Sequence, residues 1–246
     1  MKVYVGIPAF NAEATLKDVI KRVLKNSFVH RIIIVDDCSK DKTSAIASKF
    51  KKVLLIKHPR NRGYGGAQKT IYKKFIQIAD PEDCIIMIHS DGQTLPEELN
   101  RFVKKFKNPK VDIVLGSRAL GDMRKGNMPL IRIMGDRVLT WIQNFCFGMK
   151  LSTFASGFRG FRCSPLKTLD YAQHSNIHKF DTMILLEMYE KKLNMVEIPV
   201  STIYRGEKSQ YSLVRYTLGV VWFAVKYFFS IRLPGWFGSK HRWYVK

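Results

Sequence analysis

The sequence has few acidic residues for its length. Its 246 residues include 20 Asp and Glu against 42 Lys and Arg, which gives a formal net charge of +22. This excess predicts an anionic partner, and nucleic acid, a membrane surface and a phosphorylated substrate all satisfy it. Apolar residues make up 46% of the chain, which is enough to bury a core and excludes intrinsic disorder.

Cysteines and long apolar runs are also scarce. The four cysteines, at positions 38, 84, 146 and 163, form no C-x-x-C pair, so neither a zinc ribbon nor a thioredoxin-like motif is predicted. Free thiols suit a reducing, cytosolic setting. No stretch of about 18 uninterrupted apolar residues predicts a membrane-spanning helix. The apolar run Val3–Ile7 is interrupted by Pro8 and is too short for a secretory signal, so we expect none.

Short apolar runs alternate with amphipathic segments over the first half of the chain. Strands are predicted at 3–7, 31–35, 53–56, 84–89 and 111–115. Helices are predicted between them, including one capped by Ser39 and reaching Phe50, and one at 67–79 after a loop at 61–66. This order predicts an α/β fold with a mostly parallel sheet covered on both faces.

The alternation weakens after Gly116. We expect an amphipathic stretch at 128–150, a loop at 156–161, helices at 164–172 and 180–191, and a strand at 196–204.

Polar clusters follow the first four predicted strands. They are residues 8–11, Asp36 with Asp37, residues 61–63, and residues 91–93. Because ligands of parallel sheets bind beyond the carboxyl ends of the strands, these clusters predict a nucleotide-sized site at that edge. Within it, Asp91 and Gln93 are two oxygen-bearing residues spaced to bind one hard cation, Mg²⁺ or Mn²⁺, together with diphosphate oxygens. An acidic turn after a strand is by itself more often only a turn.

The order of these motifs resembles a known family. PAFN with Glu13, VDDCSKDKT at 35–43, NRG at 61–63, HSDGQ at 89–93 and GSR at 116–118 together resemble the family 2 glycosyltransferases of GT-A fold. Later segments resemble the dolichyl-phosphate mannose/glucose synthase branch: 128–144, SGFRGF at 156–161, FDTMILLEM at 180–188, EIPV at 197–200 and YRGEKS at 204–209. The resemblance covers about residues 1–212.

The resemblance implies three sets of site residues. Nucleotide-sugar contacts are implied for Pro8, Phe10, Asn11, Glu13, Asp36, Asp37, Ser39, Arg62, Gly63, His89, Ser90 and Asp91. Metal binding is implied for Asp91 and Gln93, and acceptor-phosphate binding for Arg118, Arg132, Arg137, Arg159, Arg205 and Ser209. Asp91, Arg118 and Arg205 are the implied catalytic residues, and Asp181 matches a further active-site position.

Two positions depart from the family pattern. His89 stands where the D-x-D motif begins with Asp, and its imidazole either hydrogen-bonds the donor, ligates Mn²⁺ in preference to Mg²⁺, or merely ends a strand. Thr153 stands where the segment before SGFR often carries Asp.

The resemblance implies transfer of a hexose from a GDP- or UDP-linked sugar to polyprenyl or dolichyl phosphate. Such a phosphate is largely dianionic at neutral pH, since its second pKa is about 6, so it attacks without a strong general base. The enzyme must position it, screen its charge and stabilise the leaving diphosphate, which suits Arg. Direct displacement inverts the anomeric configuration.

We divide the chain into a catalytic domain, residues 1–212, and a basic aromatic tail, residues 213–246. Residues 216–231 are apolar apart from Lys226, which predicts an interfacial helix at the cytoplasmic face of the membrane. A buried helix that closes the domain and a short membrane dip are the alternatives. The protein is thus expected to be peripheral or monotopic, with a homo-oligomer or a membrane partner subunit possible.

Three other functions fit parts of the sequence. One is a family 2 glycosyltransferase acting on a glycan or a lipid-linked saccharide. Another is a membrane-binding scaffold without catalysis, which His89 keeps open. The third is a nucleic-acid-binding protein, suggested by charge and aromatic content alone. No nucleic-acid-binding motif accompanies that charge, so we do not expect nucleic acid as the partner.

Overall fold

The computed structural model describes residues 1–121, 128–177, 179–203 and 213–232. Seven strands occur in the described ranges: β1 Val3–Ala9, β2 Val29–Asp36, β3 Val53–Lys57, β4 Cys84–Met87, β5 Ile113–Ser117, β6 Arg159–Arg162 and β7 Met195–Pro199. Eight α-helices accompany them: α1 Leu16–Leu24, α2 Thr43–Ala47, α3 Gly63–Ile78, α4 Leu99–Phe106, α5 Leu130–Phe147, α6 Cys163–Lys167, α7 Lys179–Glu190 and α8 Leu213–Arg232.

The strands form one sheet in the order β3-β2-β1-β4-β6-β5-β7. All neighbours are parallel except β6, which runs antiparallel to both β4 and β5. The predicted mostly parallel α/β sheet is thus confirmed. The chain leaves β1 toward β2 and β3, then crosses back to β4 on the other side of β1. The carboxyl ends of β1 and β4 therefore flank a topological switch point, where such sheets bind ligands.

Helices cover both faces of the sheet because side chains alternate along each strand. Val5 and Ile7 of β1 lie in an apolar cluster with residues of α1 and α4, whereas Tyr4 points to a second cluster. That second cluster includes residues of α3, α7 and α8, such as Phe75 and Phe223.

Two helix boundaries differ from the sequence prediction. Helix α2 is only five residues long and is not capped by Ser39, because the Ser39 hydroxyl instead accepts the N–H of Asn11 at 2.9 Å. Helix α3 begins at Gly63, inside the predicted loop. A Cβ at Gly65 would lie 2.6 Å from the carbonyl oxygen of Ser175, so glycine here serves close packing of a helix start.

The second half of the chain holds the largest difference. The second half of the predicted 156–161 loop, together with Arg162, forms strand β6. This strand is buried and completes the sheet between β4 and β5. Its sequence, RGFR, lacks the alternation of a half-exposed strand because both faces are covered. The predicted 164–172 helix is shorter, Cys163–Lys167, and β7 ends at Pro199.

Helix α7 anchors the irregular segment 170–174 through Glu187. Its carboxylate accepts the N–H of Asp170 at 2.7 Å and pairs with His174 at 3.0 Å and Lys191 at 3.2 Å. Burial alone would raise the pKa of the Glu187 carboxyl, but the bonds from His174 and Asp170 outweigh it and hold this pKa below its ordinary value of 4.5.

Helix α8 packs along one side against α5 and α7. Phe223, Ala224 and Tyr227 are buried, and the Tyr227 hydroxyl donates to Glu190 at 2.9 Å. The opposite side is exposed, with Trp222 at 67%. Within the described ranges, no helix combines the length and apolar character needed to cross a bilayer. Residues 233–246 of the predicted tail lie outside the described chain.

Candidate active site

The loops after β1 and β2 are joined by reciprocal hydrogen bonds. Besides the bond from Asn11 to Ser39, the Asn11 side chain accepts the N–H of Lys40 at 3.0 Å, and Glu13 accepts that of Lys42 at 2.9 Å. Asp41 accepts the N–H of Glu13 at 3.0 Å in return. Pro8 and Phe10 are half-buried beside them. Three implied nucleotide-contact residues are therefore held in one rigid loop pair.

Asp36 is buried at the end of β2 and organises the loop that follows. One carboxylate oxygen accepts the N–H of Ser39 at 2.9 Å, and the other accepts the Ser44 hydroxyl at the start of α2. The intervening Cys38 has a φ of 68°, a left-handed conformation that this side-chain network supports. Asp36 therefore shapes the turn on which the implied ribose and base contacts stand.

Asp37 is equally buried and binds His58, a residue that no sequence motif marks. His58 Nδ1 lies 2.6 Å from the Asp37 carboxylate, and its Nε2 lies 2.9 Å from the hydroxyl of Thr70. The same carboxylate accepts the N–H of Arg62 at 2.8 Å. Asp37 therefore fixes the loop between β3 and α3, and places Arg62 and Gly63 at the sheet edge.

The end of β4 carries His89 into a packed setting. Its ring stacks on Tyr64, with centroids 5.6 Å apart and planes 3° from parallel. On another side stands Gly157, where a Cβ would lie only 2.0 Å from His89 Nε2. The SGFR segment therefore needs glycine at this position because the imidazole fills the space. His89 does more than end a strand: it joins β4, α3 and the segment before β6.

Asp91 lies next along the chain, in a tight turn. Its carboxylate accepts the N–H of Gln93 at 2.9 Å across Gly92, whose φ is +75°. The backbone carbonyl of Gln93 accepts the N–H of Ile203 at 3.0 Å, so the side-chain oxygen of Gln93 is the less committed candidate ligand. Across the switch point, the Thr15 hydroxyl donates to the carbonyl of Ser90 at 2.7 Å.

The residues around Asp91 suit a metal ion whose ligands come partly from the protein and partly from a bound substrate. Among the described residues, no group of three or more His, Cys, Asp or Glu side chains could hold an ion by themselves. Mg²⁺ is commonly bound by one or two carboxylates while substrate phosphates and waters complete its shell. Asp91, half-buried at the strand end, fits that arrangement.

Arg159 is buried and bonded to protein oxygens. Its guanidinium donates to the carbonyl of Phe154 at 2.6 Å and pairs with the carboxylate of Asp181 at 3.2 Å. Gln68 donates to the same carboxylate at 3.0 Å. Burial, with a smaller contribution from Asp181, raises the pKa of the Tyr64 hydroxyl well above its ordinary value. Arg159 thus supports the wall behind His89, and its direct contact with an acceptor phosphate stays a prediction.

Arg118 follows β5 and is partly exposed, at 19% of its side chain. It pairs with Asp136 of α5 at 3.0 Å and donates to the carbonyl of Ala155 at 2.9 Å. Arg132 lies one turn before Asp136 on the same face of α5. Arg137 lies about 100° further round the helix and is exposed, so the two predicted arginines do not share a face.

Of the other positions named from the sequence, one is buried and two lie outside the described chain. Thr153 is buried, and its hydroxyl accepts the N–H of Ala155 at 3.2 Å. Arg205 and Ser209 lie outside the described residues. Four further residues of the site were not predicted from the sequence: His58, Tyr64, Gln68 and Asp136. None of them stands in a recognisable motif: His58 follows β3 in a basic loop, and the other three are single polar residues within α3 and α5.

This geometry defines a class of protein: an α/β enzyme with acidic and polar loops at the switch point of a parallel sheet, the arrangement that binds nucleotides. The profile described as "Glycosyl transferase family 2" matches residues 4–170. The chain therefore belongs to glycosyl transferase family 2, and the predicted family and enzyme class are confirmed.

Curated relatives span nearly the whole chain. A UDP-N-acetylglucosamine–dolichyl-phosphate N-acetylglucosaminyltransferase of Methanococcus voltae is 31% identical over 241 residues, covering 92% of this chain and 93% of the relative. An undecaprenyl-phosphate mannosyltransferase of Micrococcus luteus is 23% identical, covering 83% and 85%. These relatives confirm the resemblance to the dolichyl-phosphate sugar synthase branch.

Solved structures confirm the GT-A fold. The structure of glucosyl-3-phosphoglycerate synthase from Mycobacterium tuberculosis with Mg²⁺ and UDP superposes with a TM-score of 0.66 at 16% identity, covering 93% of this chain and 78% of that one. At this identity the likeness concerns the fold.

Proposed function

We propose that this protein transfers a hexose or N-acetylhexosamine from a nucleoside diphosphate sugar to a polyprenyl or dolichyl phosphate, with inversion at the anomeric carbon. The convergence of the β1, β2 and β4 loops at the switch point carries the proposal. The relative from Methanococcus voltae, which is matched over 93% of its length, is named for a UDP-linked donor and dolichyl phosphate. It supports the acceptor class and makes UDP the first nucleotide to test.

In this proposal the β1–β2 loop pair binds the nucleoside. Asn11, Glu13 and Ser39 line the rim of the loop pair, while Asp36 and Asp37 hold its shape from beneath. A loop fixed by so many backbone bonds loses little conformational freedom when a ligand binds, which favours affinity. Asp37 therefore acts through Arg62, Gly63 and the start of α3.

Asp91 and the Gln93 side chain would hold Mg²⁺ or Mn²⁺ with the donor diphosphate. The ion would supply positive charge where the leaving diphosphate develops negative charge. Asp91 itself would fix the ion and orient the diphosphate. His89 lies beside this turn and is available to hydrogen-bond the donor, with its ring orientation set by Tyr64 and Gly157.

Arg118 is the proposed acceptor-phosphate residue. It stands at the carboxyl end of β5, and its Asp136 and Ala155 partners hold its planar fork in place. The acceptor dianion attacks the anomeric carbon, the bond to the diphosphate breaks, and no proton has to be removed in that step. We propose Arg205 and Ser209 as further phosphate contacts, because Ile203 joins the Gln93 carbonyl just before them.

The test is a transfer assay with a panel of radiolabelled UDP- and GDP-sugars, polyprenyl phosphate, and Mg²⁺ or Mn²⁺. Label should enter the organic phase with one donor class, and Asp91→Ala should abolish it. The matched control is Asp18→Ala, an exposed carboxylate on α1, which should transfer normally. If no donor gave a lipid product, the proposal would be wrong. If Asp91→Ala remained active, the metal assignment alone would fail.

A further inference from the structure

A cleft of about 960 Å³ lies between α3, the segment 167–176, α7 and α8, and it meets the proposed nucleotide-binding loops only at Arg62. Its lining is strongly basic, with one carboxylate, Asp170, against six cationic side chains: Arg62, Lys69, Lys73, Lys167, Lys179 and Lys226. The cleft therefore concentrates a share of the +22 net charge away from the substrates' reacting atoms.

The cations of the cleft are not equivalent. Lys69 is bonded to the Ala172 carbonyl at 3.0 Å and to the Asn176 side chain at 2.8 Å, so it holds the cleft wall. Burial, helped by the nearby Arg62, lowers the pKa of Lys69. In contrast, Lys73, Lys179 and Lys226 form no ion pair with any carboxylate of the described residues. These three amines are left for an anionic ligand.

Apolar side chains form the rest of the lining, including Ile76, Met183 and Phe223. At the mouth stands Trp222, 67% exposed, with its indole on the outer side of α8. A ligand that suits both kinds of wall carries an anionic head and an apolar tail.

The mouth of the cleft adjoins a wide apolar ridge. On α5, six exposed apolar residues recur at helical spacing along one stripe: Leu130, Ile131, Met134, Val138, Trp141 and Phe145. The stripe reaches α8 through Phe145, whose ring stacks on Phe228 at 5.4 Å. Exposed Leu218 and Trp222 of α8 extend it toward the cleft. Such a surface next to lysines matches the interfacial zone of a bilayer.

We propose that the cleft binds the phosphate-bearing headgroup of an anionic membrane lipid while the apolar ridge of α5 and α8 enters the bilayer interface. The inference rests on the proposed lipid-linked acceptor, which requires the enzyme to work at a membrane. It assigns the docking surface to two packed helices and a headgroup site, rather than to the tail alone.

The experiment is flotation of the full chain with phosphatidylcholine vesicles, with and without phosphatidylglycerol. The cleft variant is Lys73→Gln/Lys179→Gln/Lys226→Gln. The matched control removes the same charge from exposed positions on α1 and near α4, as Lys17→Gln/Lys104→Gln/Lys107→Gln. A basic residue near an anionic surface contributes about a fivefold gain in binding. The cleft variant should therefore lose about tenfold or more on anionic vesicles, and the control about twofold or less. Equal losses would overturn the headgroup site.

The ridge is tested with Ile131→Ser/Trp141→Ser, which should weaken binding to both vesicle types. If that variant bound vesicles normally but turned a dimeric wild type into a monomer, the ridge would be a self-interface and the inference would fail. Transfer to a short-chain polyprenyl phosphate in detergent separates this result from the proposed function. The cleft variant should keep wild-type turnover there, and an inactive wild type would refute the transfer reaction without touching the vesicle result.

Discussion

The contact between Gly157 and His89 gives a sharp test of the site's construction. Replacing Gly157 with Ala would place a methyl group 2.0 Å from His89 Nε2, and 2.8 Å from both His89 Cε1 and the Tyr64 hydroxyl. Ordinary carbon contacts lie at about 3.5 Å or more. The imidazole must therefore move by more than 1 Å, roughly, and leave its stack on Tyr64.

The loss in free energy of unfolding follows from the contacts that the displaced imidazole gives up. Loss of the aromatic pair contributes about 0.5–1.5 kcal/mol, and a displaced rotamer contributes about the same. Gly157→Ala should therefore lower the free energy of unfolding by about 2 kcal/mol, which is about 4–8 °C in Tm for a chain of this size. Nucleotide affinity should fall as well, because His89 adjoins the Asp91 turn.

A double-mutant cycle provides the control. In a His89→Ala background the two imidazole contacts are gone and the Tyr64 hydroxyl at 2.8 Å remains, so Gly157→Ala should cost clearly less in urea denaturation. The coupling between the two substitutions should thus exceed about 1 kcal/mol, whereas independent sites add within about 0.5 kcal/mol. Equal costs in both backgrounds would refute the assignment of Gly157 to the His89 space.

Three further predictions concern charged pairs. Arg159→Met should cost about 3–5 kcal/mol in urea denaturation, because it leaves the carboxylate of Asp181 partly buried without its cation, and Arg159→Met/Asp181→Leu should recover part of that loss. Asp136→Asn should raise KM for the lipid phosphate more than it lowers kcat, since it loosens Arg118 without removing it; an unchanged KM would argue against Arg118 as the acceptor contact. Because the folded-state pKa of Glu187 is depressed, its contribution to stability is present above pH 4.5 and is lost as the pH falls through that lower pKa. Stability should therefore decline less steeply below pH 4.5 in Glu187→Gln, and identical pH profiles by circular dichroism would contradict this.

Much of the fold could be predicted because the first half of the chain is locally consistent. The apolar runs that become β1 to β5 stand out from amphipathic segments such as α1, and their order alone dictates a parallel sheet. Strand β6 could not be found this way. Its four residues are buried on both sides by non-local pairing with β4 and β5, so its pattern carries no period.

The site residues, like the strands, were predictable only where local sequence marks them. Asp36, Asp37 and Asp91 could be named from the sequence because each follows a strand, and the edge of a parallel sheet collects strand ends. Their roles depended on tertiary contacts. Asp37 meets His58 because β2 and β3 are neighbouring parallel strands whose register pairs Asp36 with Lys57. Asp37 thereby supports the loop after β3, and its contact with the ribose stays a prediction.

The positive charge shows most clearly what sequence and structure each decide. The count of 42 basic against 20 acidic residues predicts anionic partners, and the motif order assigns the family. Packing decided which cations remain for ligands: Arg159 is buried against Asp181, and Arg118 is paired but partly exposed. In the cleft, Lys73, Lys179 and Lys226 form no ion pair with a carboxylate of the described residues. Charge is additive along a chain, whereas pairing and desolvation depend on the folded neighbours, so only the tertiary structure could separate these roles.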